Sequence, residues 1–195
     1  IDPLTEHMFT QVVKDSYAIR AHFPNSTIAL NSSPQLLCGK RLLTILSHLA
    51  SEHENGLDGF VLEITETDCT LSEQELVSQL QAIIGLGVRI AIDDFGKSYS
   101  SLFRLASMPI QKLKIDMSFT AGMDREENIK IISGILALAH SLRLEVTAEG
   151  VENQFQQDKL IKLGCQQAQG FFYSKPLKLQ GLLALPSHLA PMPVS

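Results

Sequence analysis

Acidic and amide side chains recur at one kind of place in this sequence, at or just beyond the ends of apolar runs. TIALN ends at Asn31. FVLEIT carries Glu63, with Glu66 just after it. VRIAIDD ends in the adjacent pair Asp93 and Asp94. KLKID carries Lys114 and ends at Asp116. LEVTAEG contains Glu149, with Glu152 following, and the last apolar run holds Gln169, with Lys175 beyond it. Two neighbouring carboxylates repel, and desolvation at the end of a buried run raises that cost, so the pair calls for a cation. Carboxylate and amide oxygens form a hard ligand set suited to magnesium or manganese, and the scarcity of nearby His and Cys speaks against zinc.

Each position taken singly also has a structural explanation. Glu63 fits a salt-bridged core residue, and Asn31 fits a turn residue ahead of Ser32, Ser33 and Pro34. Asp93 and Asp94 fit a strand-end pair bound by backbone N–H groups, with Lys114 as an ion-pair partner. Gln169 and Lys175 fit rim residues, and Glu152 fits an acid at a helix N-terminus, where the macrodipole favours it. No single explanation covers their recurrence at the ends of successive strands.

The elements that must position them alternate between strand and helix. The helical period runs from Thr5 to His22, and TIALN follows as a strand. A helix is expected from Pro34 to Ala50, then the strand FVLEIT. Ser72 and Glu75 form a capping-box pattern ahead of a helix to about Leu86, which Gly87 stops before VRIAIDD. A short helix from about Ser100 to Ala106 leads to KLKID. Asp124 and Glu127 read as a second capping box for a helix through Leu142. LEVTAEG, a helix from Asn153 to Leu163 and a strand near Ala168 to Tyr173 complete the series.

The strands are apolar on consecutive residues, as expected when both faces are covered. Six βα units of this kind imply an α/β fold with a parallel sheet, open or closed into a (β/α)₈ barrel, whose active site lies at the C-terminal strand ends. No GxGxxG or GxxxxGK[ST] string is present. Asp94 to Gly96 spells the DFG of protein kinases, but no glycine-rich loop or HRD-type loop accompanies it.

The 195 residues, 45% apolar and 19% charged, suit one domain with a sizeable core. A net charge of −5 argues against binding DNA or RNA polymers, which would call for a basic stripe. Cys38, Cys69 and Cys165 form no CxxC pair, and three reduced thiols in a cytoplasmic protein are expected. No apolar stretch is long enough to span a bilayer, and the start lacks the features of a signal peptide. The Pro-rich end, 186–195, is expected to be frayed. The absence of an initiator Met suggests a piece of a longer protein.

LEITE, AIDDFGxxYSSL, LKID, AEGVE and AQGFFYSKPL, in that order, resemble the bacterial EAL domain, which hydrolyses the second messenger cyclic di-GMP to the linear dinucleotide pGpG. The resemblance covers nearly the whole chain, 1–195 reading as the C-terminal three-quarters of one such domain. It implies a modified (β/α)₈ TIM-like barrel with one strand reversed, of which about six strands are present here. It implies that Asn31, Glu63 and Asp93 are ligands of one divalent cation, Mg²⁺ or Mn²⁺, and that Asp94 serves a second cation or its water. Lys114 would lie beside the attacking water and the scissile phosphate. Glu149 is similar to the family's general base, or to a carboxylate holding the metal-bound water. Gln169 and Lys175 would contact substrate, Glu152 would support the rim, and Glu66 resembles the glutamate that holds the loop after Asp94. Two cations about 3.5–4 Å apart neutralise a phosphodiester and activate water.

Two departures bear on these expectations. No Glu-Ala-Leu string occurs, so the strand that carries this further metal ligand is expected before Ile1, and the 195 residues alone are expected to be weak or inactive. The loop that usually reads DFGTGYSS reads DFGKSYSS, with Lys97 expected to be solvated and Ser98 replacing a glycine. A catalytically inactive cyclic di-GMP receptor and a protein-interaction module are the alternative functions. The resemblance also implies a homodimer and an upstream sensory or regulatory domain in the parent protein, which would itself be cytoplasmic or membrane-anchored.

Overall fold

Five consecutive residues of strand β2 (Phe60–Thr65), Phe60 to Ile64, are buried. Such a strand has no alternation because both of its faces are covered. The computed structural model describes residues 2–53, 56–65, 71–97 and 102–187. Its elements begin with α1 (Asp2–His22), β1 (Ile28–Ser32), α2 (Pro34–Leu37), α3 (Lys40–Glu52), β2, α4 (Glu73–Ile84) and β3 (Arg89–Phe95). They continue with α5 (Leu102–Ser107), β4 (Lys112–Ile115), α6 (Met117–Ala121), α7 (Glu126–Ser141), β5 (Glu145–Ala148), α8 (Gln154–Lys162), β6 (Gln167–Ala168) and α9 (Leu179–Leu183). The fold is α/β, with six parallel strands in one open sheet that follow chain order from β1 to β6. This agrees with the expected βα succession of an incomplete barrel.

The described residues divide into two compact units, one of residues up to 90 with 177–187, the other of residues 91–176. In the first, β1 pairs parallel with β2, and α3 and α4 contribute a core of Leu42, Leu46, Leu76, Leu80 and Ile83, each nearly or fully buried. The expected capping box of α4 is present. Ser72 Oγ accepts from Glu75 N–H at 3.4 Å, and the Glu75 carboxylate accepts from Ser72 N–H at 3.0 Å. In the second, β3, β4, β5 and β6 form a parallel ladder backed by α7, with Leu113, Ile115, Ile132 and Ala139 fully buried.

Several boundaries differ from expectation. The helix expected over 34–50 is two helices, because the chain turns at Cys38 and Gly39, which caps α3 with extended backbone. The second capping box is absent: α7 starts at Glu126 behind Arg125, with no side-chain cap bond. A cap is found further upstream instead, where Asp116 caps the unanticipated helix α6 by accepting from Ser118 N–H at 2.9 Å. Strand β6 spans only Gln167–Ala168, not 168–173. There the chain presses so closely against Val151 that a Cβ on Gly170 would lie 2.1 Å from the Val151 carbonyl oxygen. Cys165 is a buried free thiol, as expected of it, and Cys69 lies outside the described residues. Among the described residues no helix is long and apolar enough to cross a membrane. Glu66, Ser98 and most of the tail lie outside the described residues.

Candidate active site

Successive strand residues point to opposite faces, so Asp93 and Asp94 should diverge. They do not, because β3 is bulged there. Ile92 pairs with Leu113 and Phe95 with Ile115, so three steps on β3 match two on β4. The extra residue is absorbed by Asp94, which sits in the left-handed region at φ 54°. Asp is among the few residues with a Cβ that tolerate this conformation. Gly96 follows at φ 99°. Asp93 Oδ1 accepts from the Asp94 N–H at 3.0 Å, which fixes the turn. A bulge of this kind re-aims a side chain, and here it turns both carboxylates toward one place.

Glu149, the first residue past β5, joins them. Its N–H donates to Ile115 O at 3.1 Å, so β4 sets its height. Asp93, Asp94 and Glu149 each offer a carboxylate oxygen, all within 4.8 Å of one another. Lys114 on β4 lies against two of them: its Nζ is 3.0 Å from Asp93 Oδ1 and 2.7 Å from Glu149 Oε1. The lysine side chain is 6% exposed, while the two carboxylates keep 17% and 18%. The ammonium is thus held by charge, with the acids open enough to admit a ligand. The donor set consists of carboxylate oxygens, which fits a hard divalent ion.

The next layer is a second carboxylate–lysine group. Lys97 Nζ lies 3.1 Å from Asp94 Oδ1 and 2.8 Å from Asp116 Oδ2. Burial opposes ionisation of the fully buried Asp116, but the Lys97 ammonium and the Ser118 hydrogen bonds outweigh it and hold its carboxyl far below the usual carboxylate range. The same bonds, to Asp116 first and Asp94 second, push the Lys97 ammonium above the usual lysine range. Lys97 is therefore engaged by two acids, which corrects the solvated reading. Sequence alone marked Asp116 as a strand-end acid but gave it no role. Its signal was the position two residues before Ser118, the spacing of an N-cap bond.

Of the remaining expected residues, Asn31 and Glu63 are direct register partners on β1 and β2, so both leave the sheet on the same face. Glu63 is buried and Asn31 exposed. Gln169 and Lys175 line one cavity of about 660 Å³ together with Lys112, Thr147 and Gln167. Lys112 Nζ donates to Gln167 Oε1 at 2.5 Å, and Thr147 Oγ1 donates to the same oxygen at 3.1 Å. Glu152 is exposed ahead of α8, where its N–H donates to Gln156 Oε1 at 2.7 Å, and the structure does not bring it into the acidic trio.

A model of the EAL domain matches residues 1–176. Among curated proteins, the chain is 31% identical over 185 residues to the cyclic di-GMP phosphodiesterase RocR of Pseudomonas aeruginosa, covering 92% of this chain and 47% of RocR. It is 32% identical over 179 residues to the cyclic di-GMP phosphodiesterase PdeR of Escherichia coli, covering 91% of this chain and 27% of PdeR. The chain thus spans less than half the length of these relatives. Among solved structures it superposes on the PaMucR phosphodiesterase in its c-di-GMP complex with a TM-score of 0.87 at 30% identity, covering 93% of this chain and 74% of that one.

Proposed function

The chain belongs to the EAL domain family, and from that premise we propose that it hydrolyses cyclic di-GMP to linear pGpG with Mg²⁺ or Mn²⁺. The observation that carries this reading is the convergence of Asp93, Asp94 and Glu149 around the buried Lys114. Asp93, Asp94 and Glu149 would hold the metal ions, with Asn31 and Glu63 as further ligands. The support for those last two is the family resemblance and their shared register level. When bound, the ions neutralise the phosphodiester and make a coordinated water more acidic.

The chain's own side chains do the rest. Lys114 keeps a fixed positive charge beside Asp93 and Glu149, where negative charge grows on the phosphate oxygens in the transition state. Glu149 orients the attacking water at its carboxylate, and its contact with Lys114 holds that carboxylate in one orientation. Gln169 and Lys175 contact the nucleotide from their cavity, whose size is in the range of small-molecule sites. Homodimerisation, cytoplasmic location and service as the output of a larger signalling protein belong to the same reading.

The test is turnover of cyclic di-GMP by the purified protein with Mn²⁺ or Mg²⁺, followed by chromatography of pGpG. Turnover is expected, slower than that of RocR, abolished by EDTA and reduced at least a hundredfold in Glu149→Gln. Tight cyclic di-GMP binding without metal-dependent turnover would instead make the protein a receptor.

A further inference from the structure

The ammonium of Lys97 has two anchors of different depth. Asp116 is fully buried and caps α6, and its Oδ1 accepts from Ser118 N–H and Oγ while its Oδ2 faces Lys97 at 2.8 Å. Asp94 is 43% exposed and belongs to the acidic trio. The lysine side chain, 50% exposed, spans the two from a turn in which its own N–H donates to Asp94 O at 3.4 Å. One carboxylate oxygen of the trio, Asp94 Oδ1, thus already carries a resident positive charge. A divalent ion seeking that oxygen meets both a competitor for its lone pairs and a like charge about one contact away.

We propose that Lys97 is a tethered counter-cation that competes with a divalent ion for Asp94. The proposal rests on the reading of Asp94 as a metal ligand. Asp116 is what makes the competition reversible: when an ion takes Asp94, the ammonium stays parked on Asp116 rather than entering water. Lys97 therefore lowers the affinity of the ion that uses Asp94 below what the carboxylates alone would give, and the occupancy of that ion follows the free concentration of divalent cation. Lys97 in this role is a positioning and tuning residue, not a catalytic one.

The experiment counts bound Mn²⁺ by electron paramagnetic resonance of the free ion, with calorimetry for affinities, on the wild-type protein and on Lys97→Gln, Lys97→Met, Lys97→Arg, Asp93→Asn, Asp94→Asn and Glu149→Gln variants. Circular dichroism checks folding. Both neutral variants should tighten the Mn²⁺ that uses Asp94 by roughly three- to tenfold, the scale of one partly exposed ion pair and its like-charge repulsion. Lys97→Arg should match the wild type, and Asp94→Asn should remove the gain when combined with Lys97→Gln. If Asp94→Asn weakens Mn²⁺ binding but neither neutral variant alters it, the competition is refuted and the metal site stands. If Asp93→Asn, Asp94→Asn and Glu149→Gln all leave Mn²⁺ binding unchanged, the metal reading fails and takes this one with it. If both neutral variants unfold while Lys97→Arg does not, Lys97 is a structural partner of Asp116 and the proposal is overturned.

Discussion

Replacing Lys114 with methionine removes the cation that two acids share while keeping most of the side-chain volume. At 3.0 and 2.7 Å, each contact is worth about 6 kcal/mol of attraction at an effective dielectric near 20, but most of that offsets the desolvation of a nearly buried ammonium. Removing one partner of a buried pair costs about 3–5 kcal/mol, and Asp93 and Glu149, at 17% and 18% exposure, keep some water, so about 2–4 kcal/mol is expected here. For a chain of this length that lowers Tm by on the order of 5–15 °C in EDTA. Added Mn²⁺ should narrow the gap to the wild type, since an ion at a hundredfold its Kd contributes about 2.7 kcal/mol and supplies the missing positive charge. The assay is thermal unfolding by circular dichroism, with and without Mn²⁺, alongside turnover, which should fall at least a hundredfold because the ion does not replace the lysine at the phosphate. An unchanged Tm in EDTA would refute the electrostatic account of the cluster, and a gap that Mn²⁺ leaves untouched would refute the shared site of lysine and ion.

Gly150→Ala should destabilise the protein by about 1–3 kcal/mol and lower kcat, measured by denaturant melts and turnover, because Gly150 has φ 69° and its Cβ would lie 2.5 Å from Met117 Cβ, next to Glu149. Ser72→Ala should cost about 1 kcal/mol by loss of the α4 cap without changing metal binding. The Ser72 hydroxyl and backbone hold the Glu75 carboxyl below its usual range, so the stability gap between wild type and Ser72→Ala in urea melts should shrink as pH falls through the lower folded value, leaving the part due to the pH-independent bond from Glu75 N–H to Ser72 Oγ. Burial pushes the Cys165 thiol up, so it should resist iodoacetamide at pH 8 in the native state and react on unfolding. Its stabilising share persists below the ordinary thiol pKa and declines as pH rises above it.

Much of the strand order was legible because it depends on local pattern. Consecutive apolar residues such as Phe60 to Ile64 mark a strand covered on both faces, and a Ser and Glu three apart, as at Ser72 and Glu75, mark a helix start whatever lies around them. Asp93, Asp94 and Glu149 were legible as candidates for one place for the same reason, since chain direction in a parallel sheet brings strand ends to one side. Where Asp124 and Glu127 imitated a capping box, the local signal misled, because the Asp116 cap and helix α6 had already set the path of the chain. Only the tertiary structure decided how Asp93 and Asp94 could face one place: the bulge and the left-handed backbone of Asp94 follow from register against β4, a partner about twenty residues away that no local pattern encodes. The same holds for Lys97, whose engagement with Asp116 depends on β4 ending beside the turn after β3. Types and spacing of residues determined which chemistry was open to this chain, and the pairing of distant strands decided which charges meet, because electrostatics acts over ångströms in space and not along the sequence.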